Sequence, residues 1–335
     1  MSARRWPTSI AVGVVAFVLS LGRLWLGNHD ALTQVVWAED GLFPLCVRKT
    51  GFITCLVDPF AGYLLALPPS TWALATNLAA GLLAGLAGAF GYLIVRRAGL
   101  GPVVSVTVGL LPVIVPVVGL EAINALGSSY MLLLYVSTLL VAFPGRSRLS
   151  TALVVAGGAL LLLTALTIPT AVVVGLAVVV QAARGALPRR AWVTWLVAIG
   201  LGLVAQAWTA THAAIPRAMH PGVDTVRAWI DGIPATALTY VPGLELHDYT
   251  FGLVFPITPS MGIGVLCAAA LAITGVVVLV RGWRNDDRRV AIGILLLSGL
   301  ALGAVPADEV VPTASTSVGT TEKTPPPQGV LCAIV

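Results

Sequence analysis

Long apolar runs that recur from one end of this chain to the other constrain its fold more than any other feature. A helix crossing roughly 30 Å of hydrocarbon needs about twenty apolar residues, and it satisfies its own backbone on the way. Such runs cover approximately residues 10–26, 71–95, 103–120, 129–143, 151–166, 168–182, 191–211, 261–280 and 291–305. Charged residues make up only 10% of the chain, against about 25% in ordinary soluble domains. The runs are continuous rather than alternating, which argues against a β-barrel. The expected class is all-α: a polytopic helical membrane protein with about nine transmembrane helices, several of them short or broken. Residues 1–306 form the expected membrane domain.

Proline and glycine set the internal breaks. Pro112 and Pro116 should kink or break the third span. The run from Thr151 to Val180 is too long for one upright helix, and Thr167-Ile168-Pro169 splits it into a thin helical hairpin. A single tilted helix is the competing reading. It would put Arg184, Arg189 and Arg190 on the opposite side from Arg146 and Arg148, against the positive-inside trend. Gly81, Gly85, Gly88 and Gly91 recur at helical spacing and read as a face for close helix approach.

The net charge of +5 invites a nucleic-acid or acidic partner, but its distribution argues otherwise. With the N-terminus cytoplasmic, thirteen of the nineteen basic residues fall inside. Five fall outside (Arg48, Lys49, Arg217, Arg227 and Lys323), and Arg23 lies within the first span. All the acids except Asp286 and Asp287 fall outside, with all four histidines. The expected location is therefore the plasma (inner) membrane, multi-pass, with any polar chemistry on the extracytoplasmic face and no nucleic acid involved. Most of the nine tryptophans fall near span ends, as an aromatic belt requires.

The acidic pair Glu39-Asp40, between Trp37 and Gly41, stands out in the first outer segment. A carboxylate at a membrane boundary can act as general base toward a hydroxyl. Two adjacent acids can instead share a divalent cation, Mg or Mn, through oxygen ligands. A solvated loop pair is the plain alternative. Trp37 could anchor the loop at the interface or stack on a sugar face. Asp58, in Asp58-Pro59-Phe60-Ala61-Gly62-Tyr63, could approach from the other end of the same loop, or mark an ordinary turn.

Between them, residues 42–57 are too short to span and too apolar to float free, which makes an interfacial segment the physical compromise. Arg48 and Lys49 would then sit at headgroup depth, as lipid-phosphate ligands or as snorkelling flanks. Arg23 is a functional candidate because it is ionisable inside a span, although it could also snorkel. In the second outer stretch, residues 223–233 read as a short interfacial helix. His247 and Asp248 follow with Glu245 in a Gly/Pro-punctuated loop, as acceptor or metal ligands or simply hydrated. Cys46 and Cys55 could pair in an oxidising compartment, or serve as small apolar residues. After Val305 the composition turns to Pro, Thr, Ser, Glu and Lys, so residues 307–335 read either as a disordered tail or as an aberrant, truncated end.

This pattern resembles the GT-C superfamily of membrane glycosyltransferases. The likeness rests on an inside N-terminus, one helix, then an outer loop with the acidic pair Glu39-Asp40 and an interfacial segment before the second helix. Residues 37–63, with Glu39-Asp40-Gly41 and Ala61-Gly62-Tyr63, also look like bacterial membrane proteins related to that group. The resemblance implies sugar transfer to a cell-envelope acceptor, outside the membrane, from a polyprenyl-phosphate-linked donor. Asp40 or Glu39 would be base or metal ligand, and Trp37, Arg48, Lys49, Asp58, Tyr63, Arg23, His247 and Asp248 would be candidates for binding substrate. Against larger members of the group, the expected departure is the lack of an extracytoplasmic C-terminal domain. The rival expectations are an envelope lipid or solute transporter, and a non-catalytic membrane subunit. Transporters usually show repeats and midplane charges, and the sequence offers only Arg23 of these.

Overall fold

The computed structural model describes residues 5–27, 66–114, 130–144, 149–212, 261–283 and 287–303. These residues are predominantly helical, with no strand among them, so the fold class is all-α. The helices are α1 (Arg5–Gly27), α2 (Trp72–Arg97), α3 (Pro102–Ile114), α4 (Tyr130–Ala142), α5 (Thr151–Thr167), α6 (Val172–Ala183), α7 (Arg189–His212), α8 (Met261–Gly282) and α9 (Asp287–Gly303).

Their ends follow from local chemistry. Helices α2 and α6 each stop at a glycine in the left-handed region, Gly99 (φ 86°) and Gly185 (φ 69°). At each, the next two amides fold back onto the last turn. Gly99 N donates to Arg96 O and Leu100 N to Val95 O; Gly185 N donates to Ala182 O and Ala186 N to Gln181 O. This pattern satisfies carbonyls that a helix end would otherwise orphan, and it needs a residue without a Cβ at the turning point. Ser150 caps α5 by accepting from Leu153 N at 3.3 Å. Pro169 forces Ile168 into an extended conformation (φ −146°, ψ 131°), which ends α5.

Helix directions can be read from paired contacts. Gly13 meets Gly85 while Phe17 and Leu21 meet Gly81, so α1 and α2 are antiparallel. Gly109 lies against Gly88 and Tyr92, which lays α3 antiparallel on α2. Leu149 bonds Arg190, Gly157 lies against Trp195, and Ala165 lies against Gly202, so α5 and α7 run parallel. Gly175 faces Ile199 and only residues 184–188 link the end of α6 to the start of α7, so α6 runs opposite to α7. The chain therefore reverses at the short 3-10 turn Pro169–Ala171, with α7 and α4 packed against both arms. At about 1.5 Å per residue, the 17 residues of α5 and the 12 of α6 reach only about 26 and 18 Å. Helices α8 and α9 form a hairpin that docks on α4 and α6 through α9.

These directions gather the C-terminal ends of α2, α4, α6 and α8 and the N-terminal ends of α5, α7 and α9 at one end of the bundle. Arg96, Arg97, Arg184, Arg189, Arg190, Arg281, Arg288 and Arg289 belong to these ends; we call it the basic end. The end of α1, the start of α2, the end of α7 and the start of α8 lie at the other.

Large apolar side chains cover the outward faces of two helices. On α2 the buried face is mostly small, Ala73, Thr76, Asn77, Ala80, Gly81, Ala84, Gly85, Ala87, Gly88 and Gly91, with Tyr92 and Val95 at its end, whereas Leu74, Leu78, Leu82, Leu86 and Phe90 point outward. Leu82 is 57% exposed. On α7, Val193, Val197, Leu201, Val204 and Trp208 likewise face out. Two stretches among the described residues, Pro69–Arg97 and Arg189–Trp208, are long and apolar enough to cross a membrane. The other apolar helices are shorter. One tryptophan departs from the belt expected of the sequence: Trp195 is fully buried, in a slot that Gly157 and Gly158 leave open on α5. Its Nε1 donates to Val154 O at 3.0 Å.

Candidate functional site

Trp37, Glu39, Asp40, Arg48, Lys49, Asp58, Tyr63, His247 and Asp248 lie outside the described residues. Arg23 falls within α1, and the helix register places its backbone in the half of α1 that pairs with the first turns of α2. The structure does supply the frame from which these residues are hung. The segment carrying the acidic pair leaves from the end of α1 and returns at the start of α2, both away from the basic end. The return is fixed locally. Thr71 Oγ1 donates to Pro68 O at 2.8 Å, and Trp72 Nε1 donates to Leu67 O at 3.1 Å. The stretch carrying His247 and Asp248 likewise leaves from the end of α7 and returns at the start of α8.

At the basic end lies a polar site that the sequence alone does not single out. Gln181, on the last turn of α6, is buried, and its Nε2 donates to Val141 O and Ala142 O, both at 3.1 Å. These two carbonyls belong to the C-terminal turn of α4, which has no intrahelical donors for them. The Gln181 Oε1 accepts from Arg184 Nη1 at 2.9 Å. Arg184 also donates through Nε to Trp283 O at 3.0 Å, and through Nη2 to Asp287 Oδ1 at 3.0 Å. Its side chain is only 5% exposed, while that of Asp287 is 65% exposed. The guanidinium thus joins α6, the end of α8 and the start of α9, with Asp287 also well placed at the positive end of the α9 dipole.

A cavity of about 330 Å³ opens beside this cluster. Its walls are Ala98, Leu100, Ala142, Phe143, Pro144 and Ala186, and its polar groups come from Gln181, Arg184, Asp287 and Arg288. Among the described residues its lining carries two guanidinium groups and one carboxylate, and no Ser, Thr, Cys, Lys or His. Two signals of it are present in the sequence: a glutamine inside an apolar run, and Asp287 as one of only two acids on the basic side.

Elsewhere some buried polar groups join helices, and others, such as Ser9, Thr76 and Ser105, bond back to the preceding turn. Ser137 and Thr164 share a hydrogen bond at 2.8 Å between α4 and α5, Tyr135 Oη donates to Val108 O, and Gln206 donates to Leu166 O. No cluster of three or more potential metal ligands occurs among the described residues. No family model, curated protein or solved structure matches the chain.

Proposed function

We propose that the chain is a multi-pass inner-membrane glycosyltransferase. It moves a sugar from a polyprenyl-phosphate donor to an envelope acceptor on the extracytoplasmic face. The observation that carries this reading is the polarity of the bundle. The arginines of the helix ends gather at one end, and the helices bounding the segments of Glu39-Asp40 and His247-Asp248 open at the other. Arginine-rich ends stay cytoplasmic, so those segments face out, where lipid-linked rather than nucleotide-linked sugars are the donors. The outward leucines and the small buried residues of α2 support a bilayer around the bundle, because lipid is as apolar as leucine and rewards close backbone approach instead.

In this reading Asp40, or Glu39, takes the proton from the acceptor hydroxyl as the new glycosidic bond forms and the bond to the donor phosphate breaks. Arg48, Lys49 or a divalent cation offsets the charge on the departing phosphate. The test has two parts. In a background with Cys46, Cys55, Cys267 and Cys332 replaced, cysteine at Pro188 should label only from the cytoplasmic side and cysteine at Leu67 only from outside. Asp40→Ala should then abolish sugar transfer in membranes while leaving that labelling pattern unchanged. Full transfer by an inserted Asp40→Ala and Glu39→Ala double variant defeats the catalytic reading; labelling of both positions from one side defeats the topology.

A further inference from the structure

The geometry points to a binding site for a phosphate-bearing anion at the basic end, in the cavity beside Arg184, separate from the sugar-transfer segment. Three features carry it. The first is a charged side chain held ready: Arg184 is buried by packing and fixed by three acceptors, Trp283 O, Gln181 Oε1 and Asp287 Oδ1. A guanidinium has five N–H donors in a rigid fork, and these bonds use one on each of its three nitrogens. The guanidinium group is the side chain best suited to phosphate oxygens.

The second feature is room. The volume of about 330 Å³ far exceeds the roughly 10–15 Å³ that one ordered water needs. The third is the split character of the walls. Phe143, Leu100, Pro144 and the alanines line one part, Arg184, Arg288 and Gln181 another. An anion with an attached carbon skeleton matches that division. Asp287 opposes it, and among the described lining residues it is the one acid beside two arginines, Arg184 and Arg288.

The chemistry is shared by two sources, the headgroup of an anionic lipid in the cytoplasmic leaflet and a soluble phosphate ester. Basic pockets between helix ends on the cytoplasmic side favour the former. The lipid source rests on the bilayer reading proposed above; the soluble source does not, so the two can fail separately.

The full-length chain is purified into nanodiscs of phosphatidylcholine alone or with phosphatidylglycerol, and retained lipid is counted by native mass spectrometry. Titration of glycerol 3-phosphate into the phosphatidylcholine discs forms the second arm. Wild type should retain phosphatidylglycerol saturably or bind glycerol 3-phosphate. Arg288→Gln should weaken whichever is bound by roughly tenfold, as expected for one charge-assisted hydrogen bond. Ala186→Phe should block it by filling the cavity, and Arg184→Gln should abolish it. Asp287→Asn should strengthen binding by removing the opposing charge. Should Arg184→Gln fail to fold, Arg288→Gln and Ala186→Phe still decide the matter. Binding that is equal in wild type, Arg288→Gln and Ala186→Phe, or absent in both arms, overturns the proposal.

Discussion

The crossing of α1, α2 and α3 depends on glycines that no side chain can replace without moving a helix, and Gly85→Leu is the sharpest test of it. A Cβ at Gly85 would lie 2.9 Å from the Gly13 carbonyl oxygen and 3.2 Å from Phe17 Cβ. The reverse substitution at Gly13 meets the Gly85 oxygen at 2.9 Å. The opposing groups are backbone or the root of a side chain, so neither can swing aside. The helices must separate by roughly half an ångström even for alanine, and a gap of that size forfeits about a quarter of each contact's dispersion energy. Overpacking costs about 1–3 kcal/mol, offset for Gly85→Ala by the roughly 1 kcal/mol by which alanine favours a helix over glycine. The alanine variant should therefore be nearly neutral to mildly destabilised, and Gly85→Leu should lose about 3 kcal/mol or more. Gly200 on α7 is the control, since a Cβ there meets nothing within 4 Å; Gly200→Ala should match or exceed wild type. Reversible unfolding in mixed detergent micelles measures all three. Gly85→Leu as stable as Gly200→Ala would refute the close crossing.

Two further perturbations probe the other half of the bundle. Trp195→Phe should cost about 1 kcal/mol for the lost bond to Val154 O, and Trp195→Ala about 3–5 kcal/mol by the cavity it leaves beside Gly157; both are read by the same unfolding assay. Asp287→Ala should cost less than about 1 kcal/mol, because its carboxylate is 65% exposed and its ion pair is screened by water. Arg184→Ala should cost clearly more, since it also strips Gln181 Oε1 and Trp283 O of their donor; equal effects from the two alanines would contradict the account of the cluster.

What the sequence makes legible is local. The all-α class follows from continuous apolar runs, and the break near Pro169 from a residue that cannot continue a helix and disfavours one before it. The stripe Gly81, Gly85, Gly88, Gly91 reads as a packing face because 3- and 4-residue spacing returns to one side of a helix, and its partners include α1 and α3. What is not legible depends on pairing between distant segments. Arg184 and Asp287 stand 103 positions apart, and periodicity carries no information on which helix end meets which. Trp195 misleads for the same reason. A tryptophan near a span end suits the interface, and only the slot made by Gly157 and Gly158 on another helix turns it into core. The acidic pair Glu39-Asp40 is visible as a composition anomaly, and the structure adds the orientation of the two helices that bound its segment.

The distribution of links along the bundle axis bears on where chemistry can reside. At the basic end the connections are short, residues 98–101, 143–150, 184–188 and 283–286. They are tied across helices by Arg184 to Asp287 and Trp283, Gln181 to the end of α4, and Arg190 to Leu149. Away from the basic end the connections 28–68 and 213–260 are long, 115–129 is intermediate, and the turn 168–171 is short. Every hydrogen bond that fixes one helix end to another restricts motion there, so these bonds stiffen the basic end. Catalytic and binding groups favour long connections carried on a rigid frame, since a buried core cannot rearrange around a substrate. In the bilayer proposed above, the outward apolar side chains would add little to that rigidity, because moving leucine from lipid into the bundle gains little. Close glycine crossings and buried polar bonds would then hold the helices, the first between α1, α2 and α3 and between α8 and α9, the second around Arg184 and between α5 and its neighbours α4 and α7. If the proposed sugar transfer is carried on the segments at the opposite end, Arg184→Ala should lower transfer in membranes although it touches no residue there; full transfer would refute that coupling.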